Sequence, residues 1–309
     1  MADKEDTPAP KRTNSIEWAK QRAAEAQKRL EAEAKAAKKP AKKAAVARQM
    51  MLELWPDATR GVPNAILRGS LFGISTERRI YKKRTLVAAV EGYEIRFKGE
   101  TFNQTDLDVL EAMLHLAMPH PLGKKVEFSV HSFLQELGRG VGKEQHEQFK
   151  EQISRLIGGV VEITDLKAEM TFIGTLVQKA YRDEKTGRYV VIFDKDMLAL
   201  YESGYTLIDW QQRMALGKNN LAKWLHGFYS SHAAPFAYRV ETLLKLCGSA
   251  AEPKKFKQLL KKSLDVLVAA GAIQSWTIDD EDLVHIKRTP VPAQIRHLTK
   301  KKRADRGTA

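Results

Sequence analysis

Phe128-Ser-Val-His-Ser-Phe-Leu-Gln-Glu-Leu-Gly138 and Tyr238-Arg-Val-Glu-Thr-Leu-Leu-Lys-Leu-Cys-Gly248 read as one element written twice, about 110 residues apart. Each opens on a short strand, continues as a short helix and stops at a glycine, the residue that best tolerates the left-handed end of a helix. Upstream, Leu110 and Leu114 match Leu221 and Leu225, four apart on a helix that spans residues 216–232 in the second copy. Downstream, after a turn and with a one-residue slip, Ile153 and Leu156 match Leu264 and Leu267 on a second, longer helix. Strands close each copy. In the first they fall at 160–163, 170–181 and 189–193, the last pair around the polar turn Lys185-Thr186-Gly187. In the second they fall at 272–278 and 283–286, around the acidic turn Asp279-Asp280-Glu281-Asp282.

Helix, short strand, short helix, turn, longer helix, β-hairpin is the order of a winged helix, a helix-turn-helix with a hairpin packed behind it. Two copies indicate a duplicated domain rather than a solenoid. The expected class is α+β, with two tandem winged-helix domains at 84–205 and 206–288. A docking arm at 50–83 is broken by Pro56 and Pro63, and a hairpin at 85–90 and 93–98 follows it. Residues 1–49 form a disordered or helical basic tail: 15–39 are rich in helix formers, with Ser15 as a cap, yet carry almost no apolar face. Residues 289–309 form a basic C-terminal tail.

The net charge is +14, but its placement matters more than its size. Residues 1–50 carry 13 Lys/Arg against 7 Asp/Glu, and residues 287–309 carry 8 against 1, so the middle is nearly neutral. A nucleic-acid face in the middle therefore has to come from local segregation. The single Cys247 excludes an intrachain disulfide and reads as a buried small hydrophobe. No apolar run is long enough to span a membrane and no secretory signal opens the chain, so the expectation is a bacterial cytoplasmic protein with no membrane partner.

The strongest local signal is the second long helix of the second copy. Phe256, Leu260, Leu264 and Leu267 make its buried stripe, and Pro253 stands near its first turn. The other face carries Lys254, Lys255, Lys257, Gln258, Lys261 and Lys262. In a winged helix this element enters the major groove, where lysines meet phosphates or guanine edges and a glutamine pairs with adenine. Arg239, on the strand before it, joins the candidate DNA-binding set. The equivalent helix of the first copy carries Lys143, Lys150 and Arg155 against Glu144, Glu147 and Glu151. Lys143 and Lys150 are candidate DNA contacts there, on a surface expected to bind more weakly or to meet protein. Lys300-Lys301-Lys302-Arg303 reads equally as a source of nonspecific affinity or as a solubilising tail.

Catalytic signals are poor. Gly138-Arg-Gly-Val-Gly142-Lys143-Glu144 resembles a phosphate loop but lacks the spacer and the Ser/Thr after the lysine. His115 and His120 are wrongly spaced for a nicking metal site, and the acidic turn reads as solvated rather than as a cation site. No enzyme, metal or cofactor is expected.

Several short motifs carry a family resemblance. Trp55-Pro56-Asp57, Ser70-Leu71-Phe72, Tyr229-Ser230-Ser231-His232, Glu241-Thr242, Cys247-Gly248-Ser249, Lys254-Lys255 and Asp282-Leu283-Val284-His285 with Lys287-Arg288 resemble the TrfA family of iteron-binding plasmid replication initiators. The resemblance runs from about Trp55 to Arg288; residues 1–45 and the tail after Arg288 do not share it. It implies two winged-helix domains that bind direct repeats, called iterons, in double-stranded DNA at a plasmid origin. It further implies opening of an adjacent A·T-rich stretch, recruitment of host DnaA and the replicative helicase, and a shift between monomer and inactive dimer. Family members also contact the replication sliding clamp through a Gln-x-x-Leu-x-Leu/Phe peptide, and Gln49, Leu52 and Leu54 stand at that place. Leu52 and Leu54 read equally as residues that dock the arm on the body. A transcriptional regulator or partition-type DNA binder using the same modules is the alternative.

Overall fold

In the computed structural model, which describes residues 52–291, 294–296, 298 and 299, the repeated element order is present in both halves. The chain opens with β1 (Thr59–Pro63), α1 (Asn64–Leu67), β2 (Phe72–Gly73), β3 (Ile80–Val87), β4 (Tyr93–Glu100) and β5 (Phe102–Asn103). The first module follows as α2 (Gln104–Ala117), β6 (Lys125–Ser129), α3 (Val130–Glu136), α4 (Lys143–Gly158), β7 (Val160–Asp165), β8 (Met170–Thr175), β9 (Lys179–Arg182) and β10 (Arg188–Ile192). A short 3-10 helix (Lys195–Met197), α5 (Leu198–Glu202), β11 (Tyr205–Asp209) and α6 (Trp210–Ala215) lead to the second module. That module is α7 (Asn220–Ser230), β12 (Tyr238–Arg239), α8 (Val240–Leu246), α9 (Pro253–Ala269), β13 (Ser275–Ile278) and β14 (Leu283–Lys287).

The likeness extends to strand order. The sheets run β6-β10-β9 and β12-β14-β13, so in each module the short strand before the short helix pairs with the last strand of the hairpin. Gly138 and Gly248 end α3 and α8 at φ +63° and +68°, a conformation glycine adopts without a Cβ penalty. In the first module Phe128, Phe133, Phe149 and Tyr189 join β6, α3, α4 and β10. Ring centroids are 4.8 Å apart for Phe128–Phe133, 5.2 Å for Phe133–Phe149 and 5.3 Å for Phe149–Tyr189. One core runs from Leu52 to Trp210 and a second from Leu216 to Val284.

The structure departs from the sequence expectation where strand partners are distant. The arm at 50–83 is not irregular: β1 pairs antiparallel with β11, Thr59 opposite Asp209 and Pro63 opposite Tyr205. The segment read as one strand at 170–181 is two, β8 and β9, in different sheets. Leu176 and Val177, both fully buried, turn the chain from one sheet to the other. β7 and β8 extend the β3–β4 hairpin into a four-stranded sheet, β3-β4-β7-β8, inserted before the wing-like hairpin. The helix expected at 216–232 is shorter, α7 alone: Gly217 at φ +57° sets it off from α6, and Asn219 caps it, accepting from Ala222 N–H at 2.9 Å. Finally, α2 is capped by Asn103, and Asp106 completes a capping box by accepting from Asn103 N–H at 2.9 Å.

A buried ionic cluster joins the two modules. α2 carries Asp106, Asp108 and Glu111, all at most 2% exposed. Asp106 accepts from Arg78 at 2.7 Å and from Arg155 of α4 at 3.0 Å. Asp108 accepts from Arg213 Nε of α6 at 2.8 Å and from Lys223 Nζ of α7 at 2.6 Å. Arg213, fully buried, also reaches the Gln104 side-chain oxygen at 3.2 Å. Glu111 Oε2 lies 3.0 Å from the same Arg213 Nε, but that hydrogen goes to Asp108, and neither Glu111 oxygen has a hydrogen-bond partner. Burial therefore raises the Glu111 carboxyl from 4.5 to about 7, against the pull of Arg213.

Removing one member of a buried pair leaves a bare charge, so Arg213→Ala should cost about 3–5 kcal/mol in urea unfolding. An acid whose folded value is raised keeps its proton in the folded state after the unfolded chain has lost it. Stability should therefore fall as pH rises from 4.5 to about 7 and level off above. Glu111→Gln should flatten that slope, and an unchanged pH profile for this variant would refute the assignment.

Candidate nucleic-acid interface

α9 is amphipathic for a simple reason: its apolar residues recur every three to four positions, and the lysines fill the gaps. Phe256, Leu260, Leu264 and Leu267 are fully buried against the second core. Lys254, Lys255, Gln258, Lys261 and Lys262 are exposed. At about 100° per residue these five lie on one arc roughly 120° wide, with Gln258 near its middle. Ser263 Oγ donates to Asn219 Oδ1 at 3.2 Å and Trp276 Nε1 to Asp265 Oδ1 at 3.0 Å, which pin the helix to α7 and to the hairpin.

Two of the expected contacts stand apart from this arc. Lys257 is half-buried and ion-paired with Asp282 at the hairpin turn. Arg239 is exposed but donates to the Glu281 carbonyl at 3.3 Å, with the Glu281 carboxylate 3.8 Å away. The acidic turn is therefore folded back on the cations that flank α9. Asp279 organises it, accepting from Glu281 and Leu283 N–H at 3.0 and 2.8 Å and pairing with His285 at 2.8 Å. Those bonds hold the Asp279 carboxyl below the ordinary range, the His285 bond first.

The first module is arranged differently. On α4, Lys143 is exposed and has no ion pair among the described residues, whereas Lys150 pairs with Glu147 at 2.8 Å. Arg155 faces inward to Asp106 and is structural. The hairpin β9–β10 forms around the turn Lys185-Thr186-Gly187 that the sequence marks, and its Lys179, Arg182, Lys185 and Arg188, absent from the candidate contacts, are all exposed. Four bases within ten residues were the signal, and the β8/β9 break separates this hairpin from the four-stranded sheet.

On the arm, Leu52 and Trp55 are buried and Leu54 is 73% exposed. Trp55 Nε1 donates to His115 Nδ1 at 3.0 Å, and its ring stacks on Tyr201 at 6.3 Å. Leu52 thus packs the arm, and a clamp could take it only by drawing it from the core. Gln49, residues 1–49 generally and Lys300 to Arg303 lie outside the described residues. Among the described residues no cluster of His, Cys, Asp and Glu is arranged to hold a metal, and no helix is long and apolar enough to cross a membrane.

Comparison with known proteins places this geometry. The fold is similar to that of domains 2 and 3 of RctB, with a TM-score of 0.52 and 12% identity over 74% of this chain and 98% of that one. A looser likeness, to the Pi initiator protein in complex with iteron DNA, has a TM-score of 0.44 and 10% identity over 58% of this chain and 90% of that one. The model of the TrfA protein family matches residues 10–288, and the chain belongs to that family. The match begins at residue 10, so kinship reaches well into the N-terminal segment that the short motifs leave out, and it ends where they end. A curated relative, the plasmid replication initiator protein TrfA of Escherichia coli, is 25% identical over 243 residues. That alignment covers 76% of this chain and 63% of the relative, so the chain matches less than two thirds of that protein's length.

Cys247 is fully buried, and desolvation pushes its thiol up to about 12. A thiol reagent at pH 8 should leave it unmodified in the native protein and label it fully in urea; rapid native labelling would contradict its place in the second core.

Proposed function

We propose that the two modules are winged helices and that the protein is a plasmid replication initiator binding direct repeats in double-stranded DNA. The observation that carries the reading is the lysine arc of α9, presented by a module otherwise close to neutral, after the turn where a winged helix places its groove-reading helix. Membership of the TrfA family supports it, as does the likeness to the Escherichia coli plasmid replication initiator. In this reading Gln258 and the neighbouring lysines read base edges, and Lys254 and Lys262 also meet phosphates. The protein performs no chemistry of its own: binding energy is spent on distorting the duplex beside the repeats. A shift between monomer and inactive dimer, recruitment of DnaA and helicase, and clamp contact through Gln49, Leu52 and Leu54 belong to the same proposal, as does a cytoplasmic location.

The test starts from duplexes that the intact protein selects from a random pool. Lys254→Glu, Lys255→Glu and Lys261→Glu together should abolish binding to them with the circular dichroism spectrum unchanged, and unchanged binding would remove α9 from the interface. Cloning the selected repeats beside an A·T-rich block should let the protein support plasmid replication. Binding without replication would favour a regulator or partition protein. Asp282 sits at φ +60°, which Asn also tolerates, so Asp282→Asn should keep the turn. It should free Lys257, raise affinity for any duplex and steepen the salt dependence by up to about 0.9 log units.

A further inference from the structure

We propose that the first module holds DNA by its backbone through the β9–β10 hairpin, with Lys143, Lys150 and Arg182 closing on a phosphodiester, while base reading is left to α9; this rests on the DNA-binding reading above. The two modules share their architecture but exchange their charges. In the second module the long helix α9 carries five lysines against one acid, and the hairpin carries four acids against one lysine. In the first module the long helix α4 is balanced at three bases and three acids, and the hairpin carries four bases against two acids. Pressed into a major groove, α4 would bring Glu144, Glu147 and Glu151, all exposed, among phosphates, which is repulsive. Its hairpin keeps an excess of bases, four against Asp183 and Glu184.

Geometry gives the hairpin something to close on. A cleft of about 320 Å³ lies between the first half of α4 and the hairpin, lined by Lys143, His146, Glu147, Lys150, Arg182 and Tyr189 among others. Three permanent cations face one acid there. Glu147 is held by Lys150 at 2.8 Å and Arg182 by Glu184 at 3.1 Å, exposed pairs that cost little to exchange. A phosphodiester is a compact tetrahedral monoanion, which suits a guanidinium fork with two ammonium groups. Lys185, at the exposed turn with no ion pair among the described residues, supplies a second contact along the same strand. The second hairpin is less suited to this, since its turn sets four acids, Asp279 to Asp282, beside Arg239 and Lys257, the two cations that flank α9.

The experiment compares the full chain with an Arg182→Gln, Lys185→Gln variant. Both sites are exposed, so folding should survive, and the melting temperature checks this. Binding is measured by fluorescence anisotropy across a salt series on two equal-length duplexes, one selected by the protein and one of random sequence. The expected result is a roughly tenfold loss on both, a salt slope smaller by about 0.9 per lost phosphate contact, and an unchanged ratio between the two duplexes. Arg182→Lys should keep most of the slope, because it keeps the charge. Unchanged affinity and slope on both duplexes would overturn the proposal, as would a loss confined to the selected duplex, which would mean base reading. If the parent chain fails to prefer the selected duplex, repeat recognition fails on its own, while the slope on random duplex still decides the backbone contact.

Discussion

Asp108 holds two cations at once, and the relation between the two modules depends on it. Arg213 and Lys223 come from α6 and α7, while Asp108 comes from α2 of the first module, and all three are at most 5% exposed. An apolar seam would tolerate sliding, since hydrophobic contact has no direction. A buried carboxylate shared by a guanidinium and an ammonium does not, because moving either cation leaves a bare charge. Glu111 shows how close to saturation the cluster is. It sits beside the same guanidinium without a hydrogen bond, and its carboxyl is raised accordingly. Fixed geometry at this seam sets how α4 and its hairpin are offset from α9.

On the proposed DNA-binding reading, the charge exchange between modules is a division of labour on one scaffold. Two copies that both read bases would need two lysine-rich helices, and a nearly neutral middle cannot supply them. Placing cations on the helix of one copy and on the hairpin of the other gives a specific contact and a positioning contact from few charges. On the same reading the acidic turn of the second hairpin adds restraint, since phosphates would gain Lys257 and Arg239 only by displacing carboxylates.

Much of this was legible in the sequence because it is local. Helical spacing found α4 and α9 and their buried stripes, the two glycines marked matched turns, and Pro253 marked the start of α9. The missing parts are nonlocal or look like something else. β1 and β11 lie about 145 residues apart, and neither has a neighbour in sequence that predicts its partner. Asp106, Asp108 and Glu111 are buried on the same helix as Leu110 and Leu114, and helical spacing alone gives no sign that acids will be drawn inside. Arg155 looked like part of a DNA-facing surface and is instead a buried counter-ion, a role set by a residue on another helix. Lysine and arginine are exposed so often that periodicity cannot say which will be drawn inside.

The β1–β11 pair has a consequence for how the chain is made. Val62 and Ile208 are buried on facing strands, and Tyr201 donates to the Gly61 carbonyl at 3.1 Å, so the first core closes only with residues 201–210 in place. A ribosome presents the chain from its N-terminus, and β1 emerges long before β11. Until then β1 is an unpaired strand with apolar residues on view, the state most open to wrong partners. The second module, whose strands pair with one another and whose buried apolar core lies within residues 216–284, has no such wait. The half of the protein synthesised first is therefore the half that carries the longer loop closure, and it spends more of its synthesis in need of a chaperone.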